Sequence, residues 1–202
     1  MQNLILLLLK INKLNKILLA HIALLIANLI YAINYTFAKD VMPDFIAPSG
    51  FILLRVIGAL LLFALSYFLF VKEKVERKDI SRLAVCGVFG VAINQLLFFE
   101  GLNLTTPINA AIVMTISPIL VISLSFLIIK EALTLRKGAG ISLGLIGASM
   151  LILKGGSIDF SSNHQTGNLF VFINASSYAL YLVIVKPMME KYHPITVMFY
   201  VF

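Results

Sequence analysis

Arg55, Glu100 and a scatter of amides are the residues whose chemistry stands out, because each lies inside an apolar run. Arg55 falls early in the apolar stretch 51–71. A guanidinium in hydrocarbon costs a few kcal/mol or more unless it is paired, hydrated or able to reach the interface. Counted from residue 51 at 1.5 Å per residue, it lies roughly 6 Å below the surface, within snorkelling reach of its side chain. Two roles fit: a structural pair with Glu100 or the neighbouring loop, or a contact for an anionic or zwitterionic substrate. Glu100 sits at a similar depth near the end of stretch 83–102. It could carry a proton, meet a substrate ammonium, or simply complete that ion pair. Asn28, Asn34, Asn94, Gln95 and Asn174 are amides within apolar stretches. Amide bonds between membrane helices are worth about 0.6–2 kcal/mol and are a common structural device. Converging on a cavity, the same groups would suit a small polar molecule, with Asn34, Asn94 and Gln95 lining it. Tyr31, Tyr178 and Tyr181 would either add ring faces there or sit in the aromatic belt at the interface.

Other chemistries lack their residues. There is no His-Glu-x-x-His, no Gly-x-Ser-x-Gly and no phosphate-cradling glycine loop, so neither an enzyme nor a cofactor is expected. His21 reads as interfacial, and His164 and His193 as loop residues. None has ligand spacing to an acid, so no metal site is expected. One cysteine, Cys86, allows neither a disulfide framework nor a thiolate metal site.

The elements that must position these residues follow from composition. The 202-residue chain is 60% hydrophobic and 12% charged, with mean hydropathy +1.01. Soluble domains carry about 25% charged residues to cover themselves. The fold class is therefore an all-α integral membrane bundle, with the lipid bilayer as its first partner. A spanning helix needs roughly 20 apolar residues. Six stretches qualify or nearly do: 17–38, 51–71, 83–102, 107–129, 138–153 and 167–185. A seventh starts at Ile195 and reaches the last residue, Phe202, within a helix. That pattern predicts a piece of a longer protein. Met1–Leu9 is apolar, but Lys10, Lys13 and Lys16 follow it, the wrong order for a secretory signal. It reads as an interfacial lead-in.

Thirteen basic residues fall on one side of this plan: Lys10, Lys13 and Lys16; Lys72, Lys74, Arg77, Lys78 and Arg82; Lys130, Arg136 and Lys137; Lys186 and Lys191. The other side has Lys39 and Lys154. This bias puts the N-terminus in the cytoplasm of a multi-pass protein of the cell (inner) membrane. It also accounts for the net charge of +7 without nucleic acid as a partner.

Tyr31-Ala32 and Lys39 recur as Tyr178-Ala179 and Lys186, an offset of 147 residues, each copy followed by a proline-containing loop. The copies have opposite orientation, as in the inverted repeats of secondary transporters. The repeat predicts a complete protein of about 300 residues and ten spans. The two units are 17–153, one whole repeat of five spans, and 167–202, the start of a second.

Several pieces together resemble a known family: Gly87-Val88-Phe89-Gly90, Gly101-Leu102, Asn109-Ala110-Ala111, Ser117-Pro118, Glu131-Ala132-Leu133-Thr134, and Gly140, Gly144 and Gly147, with Asn34, Lys39 and Arg55 before them. In this order and spacing they are similar to the EamA domain of the drug/metabolite transporter superfamily. The resemblance implies a ten-helix secondary carrier, built of two inverted repeats, that moves small polar metabolites such as amino acids by alternating access. Export is the expected direction. It also favours a role for Arg55 in a substrate site with Asn34, Asn94, Gln95, Glu100 and Tyr181. Pro118 removes a backbone bond in mid-span and would gate or merely curve its helix, with Ser117 partly compensating. Gly140, Gly144 and Ala148, with Gly147 beside them, form a small-residue face that suits close helix contact within the protomer or across a homodimer. The competing expectation is a non-transporting membrane scaffold, or a degenerate half-transporter that needs a partner. An intramembrane enzyme acting on lipid is disfavoured by the missing catalytic groups.

Overall fold

The computed structural model describes residues 18–30, 32–33, 37–38, 40–132, 134–155 and 164–202. These residues are helical wherever they are regular, with no strand among them. The chain divides into two units, Met1–Met42 and Pro43–Phe202. In the first, α1 (Leu18–Ile30) is apolar. Its Asn28 amide donates to the Leu24 carbonyl one turn back, at 2.8 Å. The helix thus satisfies its own polar side chain.

In the second unit α2 spans Pro48–Ser66 and runs on as a π-helical turn, Tyr67–Val71. Proline in the first turn sets its start, since the missing N–H has no partner there in any case. Lys72 ends it in the left-handed region, φ 48°. The third span consists of α3 (Arg77–Gly87), a π-helical segment Val88–Ile93, and α4 (Asn94–Leu104). Thr106 then caps α5 (Pro107–Met114), its hydroxyl accepting from the Asn109 N–H at 3.1 Å. The chain continues through α6 (Ser117–Ile129), α7 (Leu135–Gly155), α8 (Gln165–Lys191) and α9 (Pro194–Val201). Four runs, Pro48–Val71, Arg77–Leu104, Pro107–Ile129 and Gln165–Lys191, are long and apolar enough to cross a membrane. Leu61, Leu62 and Phe70 point outward from α2 and its π turn, as side chains facing hydrocarbon would.

Several boundaries differ from the sequence expectation by a few residues. The third span begins at Arg77 rather than residue 83, because Asp79 is folded into the helix against Lys191 and Tyr192. The sixth does not end at residue 185. It continues through Pro187 to Lys191, held there by buried Met188 and the ion pairs of Lys191. Pro118 stands just after a break in the run Pro107–Ile129, with α5 and α6 separated by the turn at Thr115-Ile116. Compensation would need a hydroxyl on the Met114 carbonyl, four residues before Pro118, whereas the Thr115 hydroxyl donates to the Ile112 carbonyl at 2.6 Å. Ser117 Oγ, expected to compensate, is buried without a partner among the described residues.

α8 is the organising element, packed along α3, α4, α5, α6 and the π segment. Gly167, Val171, Ala175, Ala179 and Val183, every fourth residue, are all buried. They form a ridge of small side chains that lets neighbouring backbones come close, which is how helices associate where water is absent. Near its C-terminus a core of Leu83, Cys86, Val91, Val185, Met188, Tyr192, Val197 and Val201 joins the third span, α8 and α9.

The basic residues gather at that same end. Glu131, after α6, pairs with Lys137 at 2.5 Å and with Lys186 at 2.9 Å. Lys137 foremost, then Lys186, holds the Glu131 carboxyl down to about 2, against an ordinary 4.5. A carboxyl with a depressed folded-state pKa adds stability above its unfolded value and loses it as pH falls through the folded one. The stability difference between wild type and Glu131→Gln should stay constant from pH 8 to 5. It should shrink between about pH 4.5 and 2, read as thermal midpoints in detergent.

Candidate functional site

Arg55 lies seven residues beyond Pro48, the first residue of α2, so it stands about 10 Å along the helix at 1.5 Å per residue. That is deeper than expected, because the helix starts before residue 51. Its guanidinium lies over two rings, 5.0 Å from the Phe99 centroid and 5.8 Å from that of Phe51. The rings themselves meet edge to face at 5.3 Å. A cation over an aromatic face is stabilised by about 0.5–2 kcal/mol, and the flat guanidinium stacks where an ammonium cannot. Phe51 is one turn before Arg55 on the same helix, and Phe99 comes across from α4. Glu100, next to Phe99, is half-buried and joins no ion pair among the described residues.

Asn94 and Asn174 are brought together, by one side chain and one backbone. Asn174 Nδ2 donates to the Asn94 carbonyl at 2.6 Å, and Ser177 Oγ donates to the Phe89 carbonyl at 2.6 Å. Phe89 lies in the π-helical turn, and Asn94 begins α4 directly after it. The wider winding of such a turn, with i→i+5 bonding, disturbs the regular carbonyl ladder. Gly90, inside that turn, makes room for Tyr181, since a Cβ at position 90 would collide with the ring. Tyr181 therefore lies against the third span, with Tyr178 6.0 Å away between centroids. Each such interhelical bond contributes about 0.6–2 kcal/mol in a membrane.

The amides are only partly satisfied. Asn174 is 1% exposed, yet its Oδ1 has no hydrogen-bond partner among the described residues, and neither has Gln95 Oε1. A buried acceptor left bare costs about 1–3 kcal/mol. Both oxygens therefore favour any N–H or O–H donor that reaches them. Gln95 is one helical turn from Phe99 on α4, hence on the same face as the ring that carries Arg55. A cation and bare acceptors inside spanning helices can bind a molecule that has both an anionic and a donor group.

Asn34 and Tyr31 lie outside the described residues. Pro118 stands at the start of α6. Gly140, Gly144 and Gly147 line α7, where a Cβ added at any of them would meet nothing within 4 Å. The close helix contacts fall on other glycines. A Cβ at Gly101 would meet the Gly167 carbonyl oxygen at 2.9 Å, and one at Gly167 would meet the Gly101 oxygen at 2.8 Å. A separate groove of about 500 Å³ lies between α2, the third span and α9. Ile52, Val56, Val91, Leu96 and Val201 are among its walls, which are mainly apolar, and none of the polar candidates lines it.

Phe51, Phe99, Ser177 and Gly167 were not singled out by sequence reasoning. Phenylalanine is common in apolar stretches, and only the partner's position distinguishes these two. Gly87, Gly90 and Gly101 were visible as motif residues, but their role needed the location of α8 and α9.

Residues 18–153 match the EamA-like transporter family. The uncharacterized transporter YyaM of Bacillus subtilis is 29% identical over 141 residues, which are 69% of this chain and 46% of that protein. The S-adenosylmethionine/S-adenosylhomocysteine transporter of Chlamydia muridarum is 26% identical over 136 residues, 65% of this chain and 42% of that one. The chain thus spans about half the length of these curated relatives. A crystal structure 18% identical in sequence has the same fold, with a TM-score of 0.63 over 83% of this chain and 59% of the other.

Proposed function

Because the chain belongs to the EamA-like transporter family, a family of membrane transporters and not of enzymes, we propose that it serves a secondary-active carrier of small polar metabolites. The substrate class is zwitterionic, as in amino acids, and the direction is export. Transport proceeds by alternating access around a polar site deep in the bundle, and the basic end faces the cytoplasm. The observation that carries this reading is the pair of bare, buried acceptors, Asn174 Oδ1 and Gln95 Oε1, in the same bundle as the Arg55 cation. Left unsatisfied, each costs free energy that a bound donor would recover. A guanidinium meets a carboxylate with charge-assisted bonds, and the amide oxygens accept from an ammonium. S-adenosylmethionine, named for the Chlamydia relative, has the same zwitterionic head group, which agrees with this choice. Counterflow in proteoliposomes tests it. Vesicles loaded with unlabelled amino acid should draw in labelled amino acid transiently, and accumulation equal to that of protein-free vesicles would overturn the reading.

A further inference from the structure

Spans 3 and 6 touch along their whole length, in one antiparallel register. At one end the Gly101 and Gly167 backbones meet, and Thr105 Oγ1 donates to Asn168 Oδ1 at 2.6 Å. The His164 ring nitrogen lies 3.1 Å from the Leu104 carbonyl there. In the middle Asn174 reaches the Asn94 carbonyl and Ser177 the Phe89 carbonyl, both at 2.6 Å. At the basic end Lys191 Nζ pairs with Asp79 at 2.6 Å and with Glu76 at 2.7 Å, and Tyr192 donates to Asp79 at 2.7 Å. From one end to the other, residue numbers fall along span 3 as they rise along span 6.

An interface that gates alternating access must part at one end or the other in each cycle. In its inward- and outward-open conformations it is closed at one end and parted at the other, since that asymmetry is what exposes the site to one side. The contact between spans 3 and 6 is closed at both ends and in the middle. We infer that spans 3 and 6 form one rigid strut, so that span 6 moves with span 3 and the boundary between moving bodies does not follow the boundary between the sequence repeats. The inference rests on the alternating-access reading above for its functional meaning. The ridge Gly167, Val171, Ala175, Ala179 and Val183 provides the fixed seam, and the ion pairs of Lys191 are part of the strut instead of a latch that must break in each cycle.

Four cysteines test this in the full protein: Thr105→Cys with Asn168→Cys at one end, and Glu76→Cys with Lys191→Cys at the basic end, bridged by a short, reducible bifunctional thiol reagent. Cys86 is fully buried, out of reach of the reagent. The strut predicts that most molecules accept both bridges, seen by intact mass. A gate predicts single bridges only, because closing one end parts the other, and that result would overturn the inference. Flux gives the second readout: doubly bridged protein should retain at least half the rate of the same sample after reduction. A lower rate restored by reduction also overturns it. If protein without cysteine substitutions carries no flux, the transport reading fails, while the mass readout still decides whether the two spans are one body.

Discussion

Replacing Arg55 with alanine lowers amino acid flux by about 10- to 100-fold while the protein still inserts and folds. The estimate comes from the bonds a guanidinium makes to a carboxylate, about 1.5–3 kcal/mol for a hydrogen bond to a charged group, at 1.4 kcal/mol per factor of ten. Stability should change little, because Arg55 is only half-buried and the loss of its ring contacts, about 0.5–2 kcal/mol, is offset by removing a charge from an apolar span. Arg55→Lys keeps the charge and loses the flat stack over Phe99 and Phe51, so it should recover part of the flux. Phe99→Leu leaves the guanidinium in place without its ring support and should raise KM more than it lowers maximal rate. Flux per inserted molecule in proteoliposomes reads all three. Undiminished transport by Arg55→Ala would remove the residue from the site.

Gly167→Val is expected to have the largest effect on folding. A Cβ at that position would stand 2.8 Å from three atoms, the Gly101 oxygen, the Leu104 carbonyl carbon and the Thr105 nitrogen. All three are backbone atoms, so no side chain can turn away. The two spans must separate, and with them go the Thr105–Asn168 bond and the packing of Val171 below it. Overpacking of this kind costs about 1–3 kcal/mol, and occasionally more, enough to lower the thermal midpoint and the folded yield together. Gly144→Ala on α7 is the control. Nothing stands within 4 Å of the added carbon there, and alanine is the better helix former by about 1 kcal/mol. Its midpoint should hold or rise.

The contrast between these two glycines shows where the sequence was informative. Gly140, Gly144 and Gly147 carry the spacing associated with close helix contact, yet their faces stand open. Gly167 has no second glycine in its own helix, though it heads the ridge of small residues there, and it is packed against backbone because its partner is Gly101. The all-helical membrane class was legible from composition alone, since nothing but spanning helices can house so apolar a chain. Span ends were less legible wherever polar side chains were paired across the bundle. Asp79 and Lys191 looked like loop residues until each was seen to satisfy the other. The π segment Val88–Ile93 had no mark beyond Gly90, and it holds the Phe89 carbonyl that α8 meets. Of the candidate residues, Arg55 lies on α2, Asn94 and Gln95 on α4 and Tyr181 on α8. The link between them came from Asn174, Ser177 and the two phenylalanines, residues too ordinary in type to stand out.

Counterflow reads exchange of substrate through the carrier itself. It needs no assumption about the driving ion, since exchange alone moves label through any alternating-access carrier. Purified protein in liposomes, loaded in turn with neutral, acidic and basic amino acids, should accumulate external label above the protein-free baseline for at least one class, and the overshoot should decay as the pools mix. Folded protein that never exceeds that baseline with any zwitterion would contradict the account and return the chain to the alternative of a membrane scaffold.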